Sequence, residues 1–524
     1  MLSFSQQSLE FLYRDLQAFA PELILCGGIV ALLLLKLFRS FERVHLGVLA
    51  FAIAGCALVV SIVQWKNTGL AARQSVECFS GLLTCDNLTI YLRMFLLGFA
   101  ACVIVLTILT RIPDAEDSSD FHVLLLGGTL GMLLMSSANH LLMVYIAIEM
   151  ASVPSYALAG FLKGRRDSSE AALKYVVYGG GASGIMLYGI SLVAGKFGTG
   201  YLPDLATGVG AALSSSSLDV PMAMGLVFIF IGLAFKLSAV PFHFWCPDVF
   251  EGAAAEIAAF LSIASKGAAM ALTGRLILTL AAPGGDHAVA AFGPVLALFA
   301  AVTATFGNLA AYAQTNLKRL LAYSTIAHAG YMLMGLSVIN ERGVAAVLFY
   351  LVTYLFTNLG AFAVVAFLRN KTGSEDIRSF RGLIHSSPVA VLALGACLLS
   401  LLGMPPLAGF MAKFVVFAEL YNTGAAQAVG PYPWLGTMYW ALLVIGGFNT
   451  VFSLFYYVKV LRVMILDRPD ETTVPARLPM TSAIFVSALA AMVLALGVAP
   501  NRFMKTSDRG AGFAGRATST APGE

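Results

Sequence analysis

The feature that most constrains this chain is a series of long apolar segments that recurs between residues 22 and 500. About fourteen of them are long enough to cross a bilayer, because a membrane-spanning helix needs about 20 mostly apolar residues. They lie at roughly 22–38, 46–63, 89–111, 121–138, 140–162, 173–195, 222–245, 256–280, 291–312, 322–339, 344–368, 387–420, 438–465 and 480–500. Only 11% of the residues are charged, against about 25% in soluble domains. The sequence therefore predicts an all-α polytopic membrane protein.

Basic residues recur at alternate connections between these segments. With the N-terminus placed outside, these connections are cytoplasmic, as the preference of Lys and Arg for cytoplasmic loops requires. They hold Lys36, Arg39, Arg43, Lys163, Arg165, Arg166, Lys318, Arg319, Arg369, Lys371, Arg378, Arg381, Lys459, Arg462 and Arg468. We therefore expect a bacterial inner-membrane protein with both termini periplasmic. The start of the chain does not resemble a signal peptide, and the Gly-, Ala-, Ser- and Thr-rich tail after Pro500 is expected to be disordered.

The segment 222–245 carries a charge and a helix breaker close together. A lysine such as Lys236 costs roughly 3 kcal/mol at mid-membrane, so it usually faces a partner or an aqueous cavity. Pro241 lacks a backbone N–H and crowds the preceding turn, so the helix should break just after Lys236. A proline kink with a lysine that reaches the membrane surface is the alternative.

A second break is predicted in the segment 387–420. An unbroken helix over its thirty or so apolar residues would measure roughly 50 Å, whereas the hydrocarbon core is about 30 Å thick. Pro405 and Pro406 should interrupt this helix, and Lys413 follows them. Two interrupted helices five spans apart and opposite in direction indicate an inverted repeat of spans 4–8 and spans 9–13.

The paired breaks suggest a division of the chain into four parts. An N-terminal three-helix segment covers 1–120, and the two repeat halves cover 121–282 and 283–468. The last helix and a flexible tail occupy 469–524.

Further polar residues fall inside predicted spans. Glu149 and Lys236 are the natural ion pair, because opposite charges in one low-dielectric core should associate. A static pair that only joins helices is the alternative. Lys266 lies near the centre of span eight, and His328 in span ten is either a proton relay or a hydrogen-bonded core residue.

Three polar residues lie closer to span ends. Lys174 opens span six, where it either takes part in the relay or extends its side chain to the cytoplasmic surface. His243 and Glu256 flank the connection between spans seven and eight, and a solvated interface is expected for both. Glu256 is alternatively a carboxylate on the route by which protons arrive.

The chemistry that fits these residues is proton movement. Burial favours the neutral form of a lysine and a nearby carboxylate restores its charge, whereas arginine stays charged throughout. A line through Lys236, Lys266 and Lys413 is therefore expected to act as a proton wire. No cysteine spacing indicates a metal site, although Cys78 and Cys85 flank a loop and leave a disulfide open as an alternative.

Three stretches together resemble a known family. They are Lys236-Leu-Ser-Ala-Val-Pro-Phe-His-Phe-Trp-Cys-Pro-Asp-Val-Phe-Glu-Gly252, Asn316-Leu-Lys-Arg-Leu-Leu-Ala-Tyr-Ser-Thr-Ile-Ala-His-Ala-Gly-Tyr331 and Pro405-Pro-Leu-Ala-Gly-Phe-Met-Ala-Lys413. They look like the antiporter-like membrane subunits of the proton-translocating NADH–quinone oxidoreductase, respiratory complex I. Lys266 stands where the larger sister subunits and Mrp-type antiporters typically have histidine, so the resemblance is strongest to the subunit N branch. Ala253-Ala-Ala255 departs from the family, which often has a proline there.

The resemblance implies fourteen helices, two of them interrupted, and a proton relay through Glu149, Lys236, Lys266 and Lys413. It also implies that flavin (FMN), iron–sulfur clusters and quinone are held by partner subunits, so this chain is expected to bind no cofactor or metal. Its expected partners are neighbouring antiporter-like and small helical membrane subunits. A free-standing Mrp-type cation/proton antiporter and a purely structural membrane subunit are the alternatives.

Overall fold

A computed structural model of the chain describes residues 2–37, 46–68, 75–112, 118–162, 164–215, 219–469 and 477–512. Arg39, Arg43, Lys163 and the tail from residue 513 onward lie outside the described residues, so the predictions made for them are not tested. The described part is almost entirely helical, and this confirms the predicted all-α class.

The helices follow one another with short connections. The first ten are α1 (Leu2–Ala18), α2 (Ala20–Leu35), α3 (Leu46–Thr68), α4 (Asn87–Thr110), α5 (Ser118–Ser137), α6 (Leu141–Ala159), α7 (Arg166–Phe197), α8 (Leu202–Ser214), α9 (Val220–Leu237) and α10 (Trp245–Gly252). The other ten are α11 (Ala255–Phe260), α12 (Lys266–Ala281), α13 (Gly285–Ala311), α14 (Leu317–Ser337), α15 (Glu341–Thr372), α16 (Pro388–Leu402), α17 (Ala408–Ala428), α18 (Pro433–Ile465), α19 (Met480–Val498) and α20 (Asn501–Ala511). Two short strands, β1 (Val76–Cys78) and β2 (Leu83–Cys85), form an antiparallel hairpin before α4.

Each of the fourteen predicted spans corresponds to a helix or to an interrupted pair of helices. Ten helical segments of the described chain are long and apolar enough to cross a membrane, and two bent helix pairs bring the number to 12. One of these segments, Ala255–Ala311, contains two predicted spans, which are eight and nine. We call the membrane side that carries Arg165, Lys318, Arg319, Arg369 and Lys371 the basic face, and the other side the opposite face.

Both predicted helix breaks are present. The first follows Leu237, where Ser238 takes the left-handed conformation, and helical structure resumes at Trp245. The second follows Leu402, where Gly403 has a φ of 95°, and α17 begins at Ala408. A left-handed residue after the last helical turn ends a helix because it redirects the backbone N–H groups that follow.

The sequence did not predict the helices α1, α8, α10 and α20. The helices α1 and α2 meet at an angle, because the axes of Leu9–Ala18 and Ala20–Leu35 differ in direction by 75°. The helix α8 lies between α7 and α9 and buries an apolar stripe that includes Leu202, Leu205 and Val209. Their spacing of three and four residues is typical of an amphipathic helix and could have revealed it.

The prediction of a disordered tail is wrong for residues 501–511, because they form α20. This helix packs against α4 and α15, and the hydroxyl groups of Ser507 and Tyr91 are 3.0 Å apart. Arg509 donates to the carbonyl of Trp65 and lies 4.0 Å from the centre of its ring. The tail's composition concealed this helix because the small residues Ser507, Gly510 and Ala511 form its buried face.

The cysteines of the hairpin are not bonded to each other. Cys78 pairs with Leu83 across the hairpin and Cys85 pairs with Val76, so the two cysteines are offset by two positions. Diagonal neighbours in a hairpin are about 7–8 Å apart, beyond the usual separation of disulfide-bonded residues. Both are free, and burial raises the pKa of the Cys78 thiol to about 11.

A buried ion pair joins the ends of three helices. The guanidinium of Arg275 on α12 makes two hydrogen bonds, of 2.6 and 2.9 Å, to the carboxylate of Asp86. The same guanidinium donates to the carbonyl of Ser136 at the end of α5. Asp86 also caps α4, since its side chain accepts from the backbone N–H of Thr89 at 2.9 Å. Burial opposes ionisation, but Arg275 and Thr89 together hold the pKa of Asp86 below its ordinary value.

Asp86→Asn should destabilise the protein by about 3–5 kcal/mol, because it leaves the buried Arg275 without its counter-charge. The matched control is Asp219→Asn, since Asp219 also caps a helix and pairs with Lys196, but on the surface. An exposed pair contributes little to stability, because water and salt screen it. Because the folded-state pKa of Asp86 is lowered, the contribution of Asp86 to the stability of the folded state should be complete above about pH 4. It should be lost only in acid. Thermal unfolding of the detergent-purified protein measures both variants, and equal shifts would contradict this account.

Candidate proton-relay site

The first helix break places two lysines in the protein interior. Lys236 lies in the last turn of α9, and Lys266 is the first residue of α12. Their side chains are 1% and 0% exposed, so both ammonium groups are cut off from bulk water. Trp245 closes the break by donating its indole N–H to the carbonyl of Phe235 at 3.0 Å. The chain between α9 and α10 therefore folds back so that Trp245 lies against Lys266, while Phe244 of that chain is exposed at the surface.

Lys236 donates to a hydroxyl group and does not contact a carboxylate. Its Nζ lies 2.8 Å from the Oγ of Ser152 on α6. Glu149, one turn earlier on α6, instead accepts a hydrogen bond from the hydroxyl of Ser183 on α7. Among the ion pairs of the described residues, none within 4 Å joins Glu149 to Lys236.

The direct Glu149–Lys236 pair proposed from the sequence is therefore not formed in this structure. The reason is the i, i+3 spacing of Glu149 and Ser152, which puts both on one side of α6 with the hydroxyl opposite Lys236. Ser152 occupies the position opposite Lys236 that was predicted for Glu149.

Lys266 faces the inner side of the first break. Its Nζ is 3.2 Å from the hydroxyl of Ser238, the left-handed residue that ends α9, and 3.8 Å from the thiol of Cys246. The ammonium also lies 5.3 Å from the centre of the Trp245 ring and 5.4 Å from that of Phe250. Aromatic faces stabilise a desolvated cation by about 2 kcal/mol, so Lys266 is held without a carboxylate partner.

A π-helical turn, Leu261–Ser265, lies directly before Lys266. Such turns are rare and occur frequently at functional sites, because the added residue redirects the side chains that follow. Within it, the hydroxyl of Ser262 accepts from the amide of Asn358 on α15 at 2.7 Å. The turn thus connects the helix that carries Lys266 to the second half of the protein.

His328 lies at the centre of a cluster of hydroxyl groups between α14, α15 and α18. One ring nitrogen is 2.6 Å from the hydroxyl of Tyr350, and the other is 3.3 Å from that of Tyr457. Tyr457 is also 2.5 Å from the hydroxyl of Ser324. Both ring nitrogens therefore have a partner able to give or accept a proton, which is the arrangement that a histidine relay requires.

The second break binds Lys413 through the backbone. Its Nζ donates to the carbonyl of Leu402 at 2.9 Å, a group that the break leaves without a helical N–H partner. It also lies 4.4 Å from the centre of the Tyr331 ring, and Tyr331 in turn contacts the ring of His328. The side chain is 4% exposed, so Lys413 is as deeply buried as the first two lysines.

Lys174 is apart from these groups. It is half-exposed at the basic face, where its ammonium is 2.7 Å from Asp248 and 2.9 Å from Glu170. Asp248 also pairs with Arg319 on α14, and so does Glu251. Lys174 therefore belongs to a surface network that fixes α10 against α7 and α14.

The expectation of a solvated interface for His243 and Glu256 is wrong. They are 3% and 1% exposed, because the connection between spans seven and eight is covered by helices that lie far away in the sequence. The sequence also missed the polar partners Ser152, Tyr350 and Tyr457. Tyrosine is read as apolar in a hydropathy pattern, and serine is common in membrane helices, so no signal distinguished these three.

The described residues contain no group of three His, Cys, Asp or Glu side chains arranged to hold a metal ion. Their interior instead holds a series of ionisable groups: the half-buried Glu149 and the buried Lys236, Lys266, His328 and Lys413. A membrane protein with two interrupted helices and such a series belongs to the class of antiporter-like proton-handling subunits.

Comparison with known proteins agrees with this class. Residues 138–431, more than half of the chain, match the family described as NADH:quinone oxidoreductase/Mrp antiporter, TM. A curated relative from Anaeromyxobacter sp., NADH-quinone oxidoreductase subunit N, is 39% identical over 92% of this chain and 93% of its own length. Subunit N 2 from Sorangium cellulosum is 40% identical over 87% of this chain and 90% of its own length.

Solved structures show the same fold. A chain of respiratory complex I from Thermus thermophilus matches with a TM-score of 0.73 and 31% identity, covering 93% of this chain and 98% of the other. A chain of the Mrp complex from Dietzia sp. has a TM-score of 0.80 at 18% identity, covering 95% of this chain and 97% of the other, so that likeness concerns the fold alone. This chain belongs to the NADH-quinone oxidoreductase subunit N family.

Ser152→Ala should lower stability by about 1–3 kcal/mol, because it leaves the buried ammonium of Lys236 without its hydrogen-bond partner. Ser155→Ala is the matched control. Both serines are buried on α6 and donate to the carbonyl four residues earlier, at 2.5 and 2.6 Å, but Ser155 has no contact with Lys236. Thermal unfolding midpoints of the two purified variants provide the comparison. A loss of equal size in both would show that Ser152 does not support Lys236.

Proposed function

We propose that this chain carries protons across the membrane as a subunit of an NADH:quinone oxidoreductase. In this assembly, electrons pass from NADH to quinone in other subunits, which hold the FMN and iron–sulfur clusters. The chain itself supplies the route for protons. The curated relatives that are named NADH-quinone oxidoreductase subunit N support this assignment.

The observation that carries the proposal is the spacing of buried polar groups across both helix breaks. Each lysine contacts a group that can accept a proton or stabilise its charge: a hydroxyl for Lys236, a hydroxyl and a thiol for Lys266, and a backbone carbonyl for Lys413. Burying three lysines is costly, so a purely structural subunit would have no reason to retain them.

The proposed mechanism depends on the serine between Glu149 and Lys236. When Glu149 and Lys236 approach each other, the carboxylate stabilises the charged lysine, which then holds a proton. When they separate, as in the arrangement described above, the charged form loses that support and the proton can pass to Lys266. Transfer continues through His328 and its tyrosine partners to Lys413, which releases the proton. Each step moves one proton and no electrons.

Lysine suits this role better than arginine would. A buried lysine exchanges its proton readily, whereas a guanidinium stays charged under all physiological conditions. The aromatic rings beside Lys266 and Lys413 stabilise the cation without a fixed counter-charge, so the proton is held only weakly. A permanent carboxylate partner would instead hold the proton in place.

We place the basic face in the cytoplasm and both termini in the periplasm of a bacterial inner membrane. Support comes from Arg165, Lys318, Arg319, Arg369 and Lys371, which all lie on one side, as loops retained in the cytoplasm do. Protons would therefore enter at the basic face and leave at the opposite face.

A free-standing cation/proton antiporter is the second candidate function. The likeness to an Mrp complex chain favours it only at the level of fold, because the identity is 18%. The greater identity to subunit N relatives and to the Thermus thermophilus chain favours the redox-coupled assembly.

The test is NADH-driven proton pumping by the purified complex in proteoliposomes. Lys236→Ala should lower pumping by about a hundredfold or more, the usual range for loss of a proton-transfer group. Lys196→Ala is the matched control, because Lys196 is an exposed lysine at the end of α7. Native gels establish that each variant assembles. Normal pumping by an assembled Lys236→Ala complex would refute the proposed route.

A further inference from the structure

A buried carboxyl group, Glu256, lies near the basic face and takes no part in the relay described above. It is the second residue of α11 and is 1% exposed. Neither of its carboxyl oxygens has a hydrogen-bond partner. Buried polar groups are almost always satisfied, so an unpartnered carboxyl needs a specific explanation.

The groups around Glu256 do not neutralise it. The hydroxyl of Thr110 on α4 is nearby, but it donates to the carbonyl of Leu106 at 3.0 Å. Lys318 on α14 is the neighbouring cation, and it is already bound to the carbonyl of Ala253 at 2.6 Å and to Glu375 at 2.9 Å. Arg369 on α15 pairs with the same Glu375 at 3.2 Å. Glu256 thus lies beside an ionic cluster whose charges already pair with one another, and it makes no hydrogen bond to that cluster.

Two further unpartnered groups lie between Glu256 and Lys266. The amide oxygen of Asn358 and the hydroxyl of Ser265 are both buried and have no hydrogen-bond partner, although the amide nitrogen of Asn358 binds Ser262. Glu256 and Lys266 are ten residues apart on one continuous helical segment, which corresponds to a rise of about 15 Å. The unpartnered groups fall in the last part of that interval, within or against the π-helical turn.

We propose that Glu256 takes up protons from the basic face and supplies them to Lys266 through Ser262, Asn358 and Ser265. A buried water molecule typically binds two to four polar groups that would otherwise lack partners, and these side chains offer such positions. This inference rests on the proposed proton-translocating function and adds the point at which protons arrive.

The transfer requires no redox partner. The Glu256 carboxyl group releases a proton to the adjoining water or hydroxyl, and the neutral amine of Lys266 gains one at the other end. The carboxylate then regains a proton from the aqueous phase at the basic face. The ionic cluster of Lys318, Arg369 and Glu375 lies beside Glu256 near that face, and Arg369 and Glu375 are partly exposed.

The structural alternative is that Glu256 only fills space beneath the connection. That connection, Ala253-Ala-Ala255, is buried and contains only alanines, so a larger side chain below it would improve packing. An isosteric amide would serve equally well in that role but could not carry a proton. The two explanations therefore differ for Glu256→Gln.

The experiment compares Glu256→Gln with Lys266→Ala in the purified complex in proteoliposomes. Glu256→Gln should lower NADH-driven pumping by about tenfold, and added formate, a small weak acid, should restore part of it. Glu256→Asp, which keeps a carboxyl group, should retain most of the activity. Glu170→Gln is the matched control, because Glu170 is an exposed carboxylate on the same face.

The outcomes separate this inference from the function on which it rests. If Lys266→Ala is impaired while assembled Glu256→Gln pumps normally, Glu256 is a packing residue and only the inference fails. If both variants pump normally, the proposed route itself is wrong. Should Glu256→Gln fail to assemble, Glu256→Ala is decisive. Normal pumping by an assembled Glu256→Ala complex, without any response to formate, would overturn the inference.

Discussion

A helix that breaks inside a membrane exposes backbone groups that lipid cannot satisfy, and the protein must supply partners for each of them. At the first break, the indole of Trp245 satisfies the carbonyl of Phe235, and the hydroxyl of Thr303 accepts from the N–H of Val240 at 3.0 Å. At the second, Ser400 accepts from the N–H of Gly409 at 2.9 Å and Lys413 satisfies Leu402. The helix breaks and the buried side chains around them, including Lys413, therefore depend on each other, because the side chains satisfy the backbone groups that the breaks expose.

This arrangement also explains why the surrounding helices are so closely packed. A polar interior is tolerated only if lipid and bulk water are both excluded. The first broken helix packs against α7, α12 and α14, and the second packs against α15, α18 and α19. The long helix α15 is buried along most of its length and supplies Tyr350, Tyr354 and Asn358 to the polar interior. It extends from the cluster around His328 to the ionic cluster near Glu256, and so links the relay to the basic face.

Hydropathy, the cost of burying charge and the positions of the prolines were sufficient to predict the spans, both breaks and the positions of Lys236, Lys266 and Lys413 inside the protein. The partners of these lysines could not be predicted in the same way. Ser152 takes the place expected for Glu149 because which of two groups on one helix face meets a lysine depends on the rotation of that helix. Glu256 was misjudged because the residues that bury it come from α4, α14 and α15, far away in the sequence. The helix α20 was missed because its buried face consists of small residues.

The central claim is that the buried lysines exchange protons and do not act as fixed charges. The most direct measurement is NADH-driven proton pumping by an assembled complex with Lys413→Arg, compared with Lys413→Ala. Arginine keeps a positive charge beside the carbonyl of Leu402 and the ring of Tyr331 but does not release its proton near neutral pH. The account predicts that both substitutions lower pumping to a similar extent. Normal pumping by the Lys413→Arg complex with loss in the Lys413→Ala complex would contradict it and would assign Lys413 a purely electrostatic role.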